Sequence, residues 1–168
     1  MTPFDLMKQD IQIHRHSYQL YRFQHAAIIP SYCQVQDHTH VEITGFPENS
    51  IVYYIQRIHY LDDKPLIVNH NYFLKEAVPG LTKAIAEQSI YEYLEQTLHM
   101  TIVNSKRIMT VEKVTEIDEK YLKLNTNDYN CVAVVSSQTY NSDGIMFEYT
   151  QSRHRPDHFR FYDNAVRK

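Results

Sequence analysis

A chain of 168 residues is long enough to enclose one hydrophobic core and fits a single domain. Its formal net charge of −3 lacks the basic balance by which a domain grips nucleic acid unaided, and no apolar run approaches the length of a membrane span. Three glycines in all exclude a glycine-rich nucleotide fingerprint, and Cys33 and Cys131 stand far apart with no CxxC spacing. The opening Met1-Thr2-Pro3-Phe4-Asp5-Leu6 has neither the basic nor the apolar region of a signal peptide, so a cytoplasmic protein with idle thiols is expected.

Residues 3–10 can form a short helical turn, with Pro3 tolerated at its start. Alternations such as Tyr18-Leu20 and Tyr21-Phe23 suggest a strand that ends before Pro30. Gly45-Phe46-Pro47-Glu48-Asn49 is a loop by its turn residues. Two runs rich in β-branched and aromatic residues follow, one from Ile51 to Tyr60 and one from Leu66 to Phe73, around the polar turn Asp62-Asp63-Lys64-Pro65. That pattern predicts a β-hairpin.

Pro79-Gly80 breaks the chain, and a short helix is expected over 81–87. Ser89 and Glu92 have capping-box spacing, and Ile90, Leu94 and Leu98 repeat every four residues as a buried stripe of a second helix. Residues 101–113 read as a strand with Ile102, Ile108 and Val111 apolar. Thr115 caps a further helix whose inner stripe is expected to be Ile117, Tyr121 and Leu124. Cys131-Val132-Ala133-Val134-Val135 has the continuous apolar character of a central strand, and Asn141-Ser142-Asp143-Gly144 is a hairpin turn. Hairpins in place of repeated βαβ units predict an α+β fold with a mainly antiparallel sheet flanked by helices.

The last predicted strand carries an unusual mixture. At a period of two, Ile145, Phe147 and Tyr149 fall on one side, while Met146, Glu148, Thr150, Ser152 and His154 fall on the other. Hydroxyls, a carboxylate and an imidazole on one face suggest a wall of a polar small-molecule site. Arg57 and His59 share one face of the first hairpin and suit a phosphate or carboxylate, although by themselves they read more simply as a surface pair. Ser89 alone reads as a helix cap, a role compatible with anion binding, and Tyr91 either points at the same anion or packs. Asp37-His38-Thr39-His40 and His14-Arg15-His16 lack a complete ligand set, so no metal is expected. No nucleophile motif or phosphate-cradling loop is present.

The order Arg57-x-His59, Asp62-Asp63-Lys64-Pro65, Ser89-Ile90-Tyr91, Glu148 and Ser152-Arg153-His154-Arg155-Pro156-Asp157 resembles the UTRA effector-binding domain of GntR-family transcriptional regulators of the HutC subfamily. The likeness is close over about residues 45–168 and loose before. Val78-Pro79-Gly80-Leu81-Thr82-Lys83, Ser89-Ile90-Tyr91-Glu92-Tyr93 and the tract from Ser152 to Phe161 look most like trehalose operon repressors. The resemblance implies a chorismate-lyase-like fold, a homodimer, no cofactor and no enzymatic activity. The implied effector is a phosphosugar, with trehalose 6-phosphate expected.

Carried over residue by residue, phosphate binding falls on Arg57, His59, Ser89 and Tyr91, and sugar binding on Glu148 and His154. His59 stands where the family usually has a second arginine, so phosphate binding is expected to be weaker or pH-sensitive. Asn69 stands where an acid is common, and Pro3-Phe4 where many relatives have a serine contact. His154 replaces a common tyrosine, as in the trehalose-type sequences. The family's winged helix-turn-helix has no counterpart here, so operator contact is expected only through an N-terminal domain of a longer protein. Arg155 with Asp157 is expected to fix the turn into Phe159–Phe161. The rival expectations are a sensor of an amino-sugar 6-phosphate, a chorismate-lyase-type enzyme, and a dimerisation module without a ligand.

Overall fold

A computed structural model describes residues 24–34 and 43–161. Its six strands are β1 (Gln24–Gln34), β2 (Ile51–Leu61), β3 (Lys64–Leu74), β4 (Ile102–Lys113), β5 (Cys131–Asn141) and β6 (Met146–His154). They form one sheet in the order β1-β2-β3-β6-β5-β4, and every neighbouring pair is antiparallel. Between β3 and β4 come α1 (Lys83–Glu87) and α2 (Ile90–Glu92), the latter continuing as a π-helical turn, Tyr93–Thr97. Helix α3 (Glu116–Leu122) joins β4 to β5, and a 3₁₀ turn, Pro156–His158, follows β6. The α+β class and the antiparallel sheet are as predicted. No helix among the described residues is long and apolar enough to cross a membrane.

The hairpin turn is tighter than its sequence suggested. Only Asp62 and Asp63 make it, both at positive φ (47° and 61°), and Lys64 and Pro65 already belong to β3. Asp is among the few residues that tolerate this region. β1 does not stop before Pro30; it runs to Gln34 with a register shift between Ala27 and Ile29. It is the outermost described strand beside β2, where a missing N–H is harmless. Strand β4 is as predicted, and its apolar residues Ile108 and Val111 are exposed. The helical turn expected at 3–10, the Tyr18–Phe23 alternation, Pro3-Phe4 and both histidine clusters lie outside the described residues.

Opposite sheet faces carry separate cores. On one face Ile90 of α2 and Leu94 of the π turn, with Val78, Leu81 and Ala86, pack on Tyr53, Ile55, Phe73 and Phe147, and Leu98 completes the predicted stripe at its margin. On the other, Leu122 of α3 and Leu124 pack on Ile58, Val68, Val132 and Val134. A third cluster joins Phe46, Val52 and Tyr149. The inner stripe of α3 differs from the prediction: Asp118 and Leu122 are fully buried, whereas Ile117 is exposed. The buried carboxylate of Asp118 meets Arg153 of β6, with Nε at 2.9 Å and 3.0 Å from its two oxygens. Asp118 also closes a capping box with Thr115.

Candidate functional site

Strand register collects polar side chains on the α2 face. Arg57, Asn69 and Ser152 lie across β2, β3 and β6 in one row, and Ile55, Asn71, Thr150 and Ser137 make the next. Tyr53, Phe73, Glu148 and Thr139 follow on one side, and His59, Ile67 and His154 on the other. The alternation predicted for β6 fails at one place. A register shift opposite Thr139 and Tyr140 lets Phe147 join Phe73 and Tyr53, on the face of Glu148, while Met146 packs with Tyr149, Phe46 and Val52. A bulge places two successive side chains on one face, which period-two counting cannot foresee.

Glu148 is 2% exposed and its carboxylate is held from three directions. Oε1 accepts from Thr150 Oγ1 at 2.7 Å and from Asn71 Nδ2 at 3.2 Å, and Oε2 accepts from the Tyr91 hydroxyl. Asn71 also donates to Thr150 Oγ1 at 2.8 Å, and its Oδ1 accepts from Arg57 Nε at 3.3 Å. One amide therefore joins a buried guanidinium to a buried carboxylate, with each end presenting the group its neighbour requires. Burial first, then the adjacent carboxylate, push the Tyr91 phenol well above the ordinary value of 10, against the opposing pull of Thr139 and Arg57. Tyr91 thus stays a proton donor to Glu148.

In the row beyond, His59 Nε2 and Asn69 Nδ2 are 2.9 Å apart, and both residues are buried. Asn69 Oδ1 is buried with no hydrogen-bond partner among the described residues. His154 is half-buried and meets Phe159 edge-on at 5.1 Å. The fold therefore brings Arg57, His59, Tyr91, Glu148 and His154 to one side of the sheet, with direct bonding from Tyr91 to Glu148 and from Arg57 through Asn71. Arg57 is a buried residue and not a surface one. Ser89 is not drawn into the network. It is exposed and caps α2, its hydroxyl accepting from the Glu92 N–H at 3.2 Å.

Asn71 is the residue that sequence reading missed. The available signal was Asn69-His70-Asn71, with two amides of equal parity between the apolar stretch Leu66-Ile67-Val68 and Tyr72-Phe73. The expectation for Arg155 holds. It grips Asp157 through two nitrogens at 3.0 Å each and donates to the Leu122 carbonyl at 2.6 Å, tying the final turn to α3.

A cavity of about 380 Å³ lined by Glu76, Pro79, His99, Thr101, Asn141 and Asp143 shares no residue with this network. The network is taken as the candidate because it gathers Arg57, Tyr91 and Glu148, residues that the sequence singled out, and none of these lines the cavity. The residues described include no group of three or more histidine, cysteine, aspartate or glutamate side chains placed to hold a metal.

The profile of the UTRA domain matches residues 33–160. The chain is 37% identical over 116 residues to the HTH-type transcriptional regulator TreR of Bacillus subtilis, covering 69% of this chain and 48% of TreR. It is 25% identical over 172 residues to the mannosyl-D-glycerate transport/metabolism system repressor MngR of Escherichia coli, covering 100% of this chain and 65% of MngR. The solved structure of the B. subtilis TreR effector binding domain superposes with a TM-score of 0.74 at 29% identity, covering 86% of this chain and 99% of that one. The chain thus spans about half the length of TreR and nearly all of its effector domain. These relatives are regulators by name, which places the chain with a sensing domain and not with an enzyme. The chain belongs to the UTRA domain family, as an effector domain of the GntR-family regulator type.

Proposed function

We propose that this domain senses a phosphosugar, with trehalose 6-phosphate as the effector, and controls operator binding of a repressor that carries it. The reading rests chiefly on one observation: Asn71 joins buried Arg57 to buried Glu148 on a single sheet face. A phosphosugar has the matching polarity, with an anion at one end and hydroxyls at the other. Arg57 and His59 take the phosphate, aided by Ser89, whose hydroxyl can still donate while it caps α2, and by Tyr91 once its one O–H turns from Glu148 to the anion. Glu148 and His154 take sugar hydroxyls. The similarity to TreR supports this choice of sugar. The working protein is a cytoplasmic homodimer that reaches DNA through a separate N-terminal domain.

Occupancy shifts the repressor only if the effector binds one dimer arrangement better than another. Trehalose 6-phosphate at millimolar concentration should raise the melting temperature, and Arg57→Ala should remove most of that rise. Trehalose and inorganic phosphate, each carrying half of the ligand, should give far smaller shifts. No shift with trehalose 6-phosphate sinks the effector assignment. A larger shift with an amino-sugar 6-phosphate reassigns it, since the Glu148 carboxylate also suits an ammonium.

A further inference from the structure

The cavity of about 380 Å³ lies between the loop after β3, the turn before β4 and the β5–β6 hairpin, apart from the polar network. Glu76 and Asp143 put two carboxylates on its lining, and neither carboxylate has a hydrogen-bond or ion-pair partner among the described residues. No lysine or arginine lines it, so the lining favours a positive charge. Asn141 supplies an independent sign. It is 7% exposed, and its Oδ1 accepts from the Asp143 N–H at 3.0 Å and from the Ile145 N–H at 2.9 Å. Its NH₂ group has no acceptor among the described residues. An amide with its carbonyl engaged in the turn and its other end presented to a cavity is a directional donor for a ligand oxygen. Pro79, Leu98 and Ile145 add apolar carbon to the same lining.

We propose that this cavity is a second ligand site, taking a small organic amine that carries an oxygen acceptor. The ammonium sits with Glu76 and Asp143, the oxygen accepts from Asn141 Nδ2, and the carbon chain covers Leu98 and Ile145. An anionic ligand would meet two like charges and no cation to offset them. A bare divalent ion needs six or more oxygens, whereas an organic ammonium needs only a few acceptors and some apolar cover. The site is also continuous with the elements that hold the network. Ile145 leads directly into β6, which carries Glu148, and Leu98 packs against the cluster that contains Ile90 and Phe147. An occupant therefore touches the chain on both sides of the Tyr91–Glu148 bond without sharing a residue with it.

This site does not depend on the effector reading. With the ¹⁵N-labelled chain, the linear amino alcohol 4-amino-1-butanol at millimolar concentration should give saturable amide shifts at residues 98–101 and 141–145. Butylamine keeps the charge and lacks the oxygen, so it should bind about two- to tenfold more weakly, the worth of one hydrogen bond. The neutral 1,4-butanediol and the anionic 4-hydroxybutanoate should give no saturable shift. Glu76→Gln combined with Asp143→Asn should weaken the amino alcohol by about tenfold or more. Both side chains are exposed, so the circular dichroism spectrum should not change. Shifts that never saturate, an amino alcohol no better than the diol, or undiminished binding to the double variant overturns the site. Saturable shifts centred on Tyr91 and Glu148 overturn it as well, by placing the amine in the network.

Discussion

Asn71 holds the candidate site together because an amide is the one small neutral group with a donor and an acceptor at opposite ends. Its carbonyl faces Arg57 and its NH₂ faces Glu148 and Thr150. A carboxylate at this position would put two negative charges side by side, and a leucine would strip a bond from each buried neighbour. Asn71→Leu should therefore lower stability by about 1–3 kcal/mol in urea unfolding, the usual cost of stranding buried polar groups. It should also abolish the effector-induced rise in melting temperature, which a purely structural role would not do. The polar face of β6 with Glu148 and His154 was legible in the sequence from its parity, whereas Arg57 read by itself as a surface residue and entered the candidate site only through the family resemblance. Asn71 was not legible, since the pair Asn69-x-Asn71 marks a polar face of β3 but register alone names the neighbours it joins.

At the scale of elements, the helices differ in how firmly they are tied to the sheet. α3 is anchored by the buried pair Asp118–Arg153, with Arg153 also reaching Glu112 Oε2 at 2.6 Å and the Lys113 carbonyl at 3.0 Å. Asp118→Ala should cost about 3–5 kcal/mol, because it leaves a guanidinium buried beside an emptied position. The pair Asp118→Leu with Arg153→Met should recover much of that loss, and urea unfolding of both variants decides. α2 is short and passes at once into a π turn, a feature often found at functional sites. Its tie to the network is the Tyr91 hydroxyl on Glu148. Periodicity predicted both helices correctly and misjudged the inner face of α3. A pattern of apolar residues has no means of announcing that a carboxylate is buried against an arginine from a strand 35 residues away.

For the whole molecule, the two sheet faces imply different sensitivities. The face of the candidate site carries Arg57 and Glu148, and the opposite face carries His70, half-buried with Nδ1 2.7 Å from the Tyr54 hydroxyl. Burial first and the Arg153 guanidinium second hold His70 below the ordinary 6.5, with Asp118 opposing. The unfolded chain then takes up a proton at higher pH than the folded one. Stability from neutral His70 is accordingly present above the unfolded value and drains away as pH falls through the folded value. Melting temperatures at about pH 7.5 and about pH 5.5 should separate more for the unmodified chain than for His70→Gln. Equal separations would show that His70 does not govern the acid side.

The residues by themselves determined the class of fold, the two hairpins and the helix starts at Ser89 and Thr115. All of these follow from local rules: turn chemistry, capping and side-chain period act over a few neighbouring residues. Tertiary structure alone decided that Phe147 turns onto the face of Glu148, that Asp118 is the inner residue of α3, and that Asn71 joins Arg57 to Glu148. Each depends on strand register or on packing between segments far apart in the chain. A bulge or a buried polar pair is stabilised by its partner, and the partner becomes visible only when the sheet is assembled.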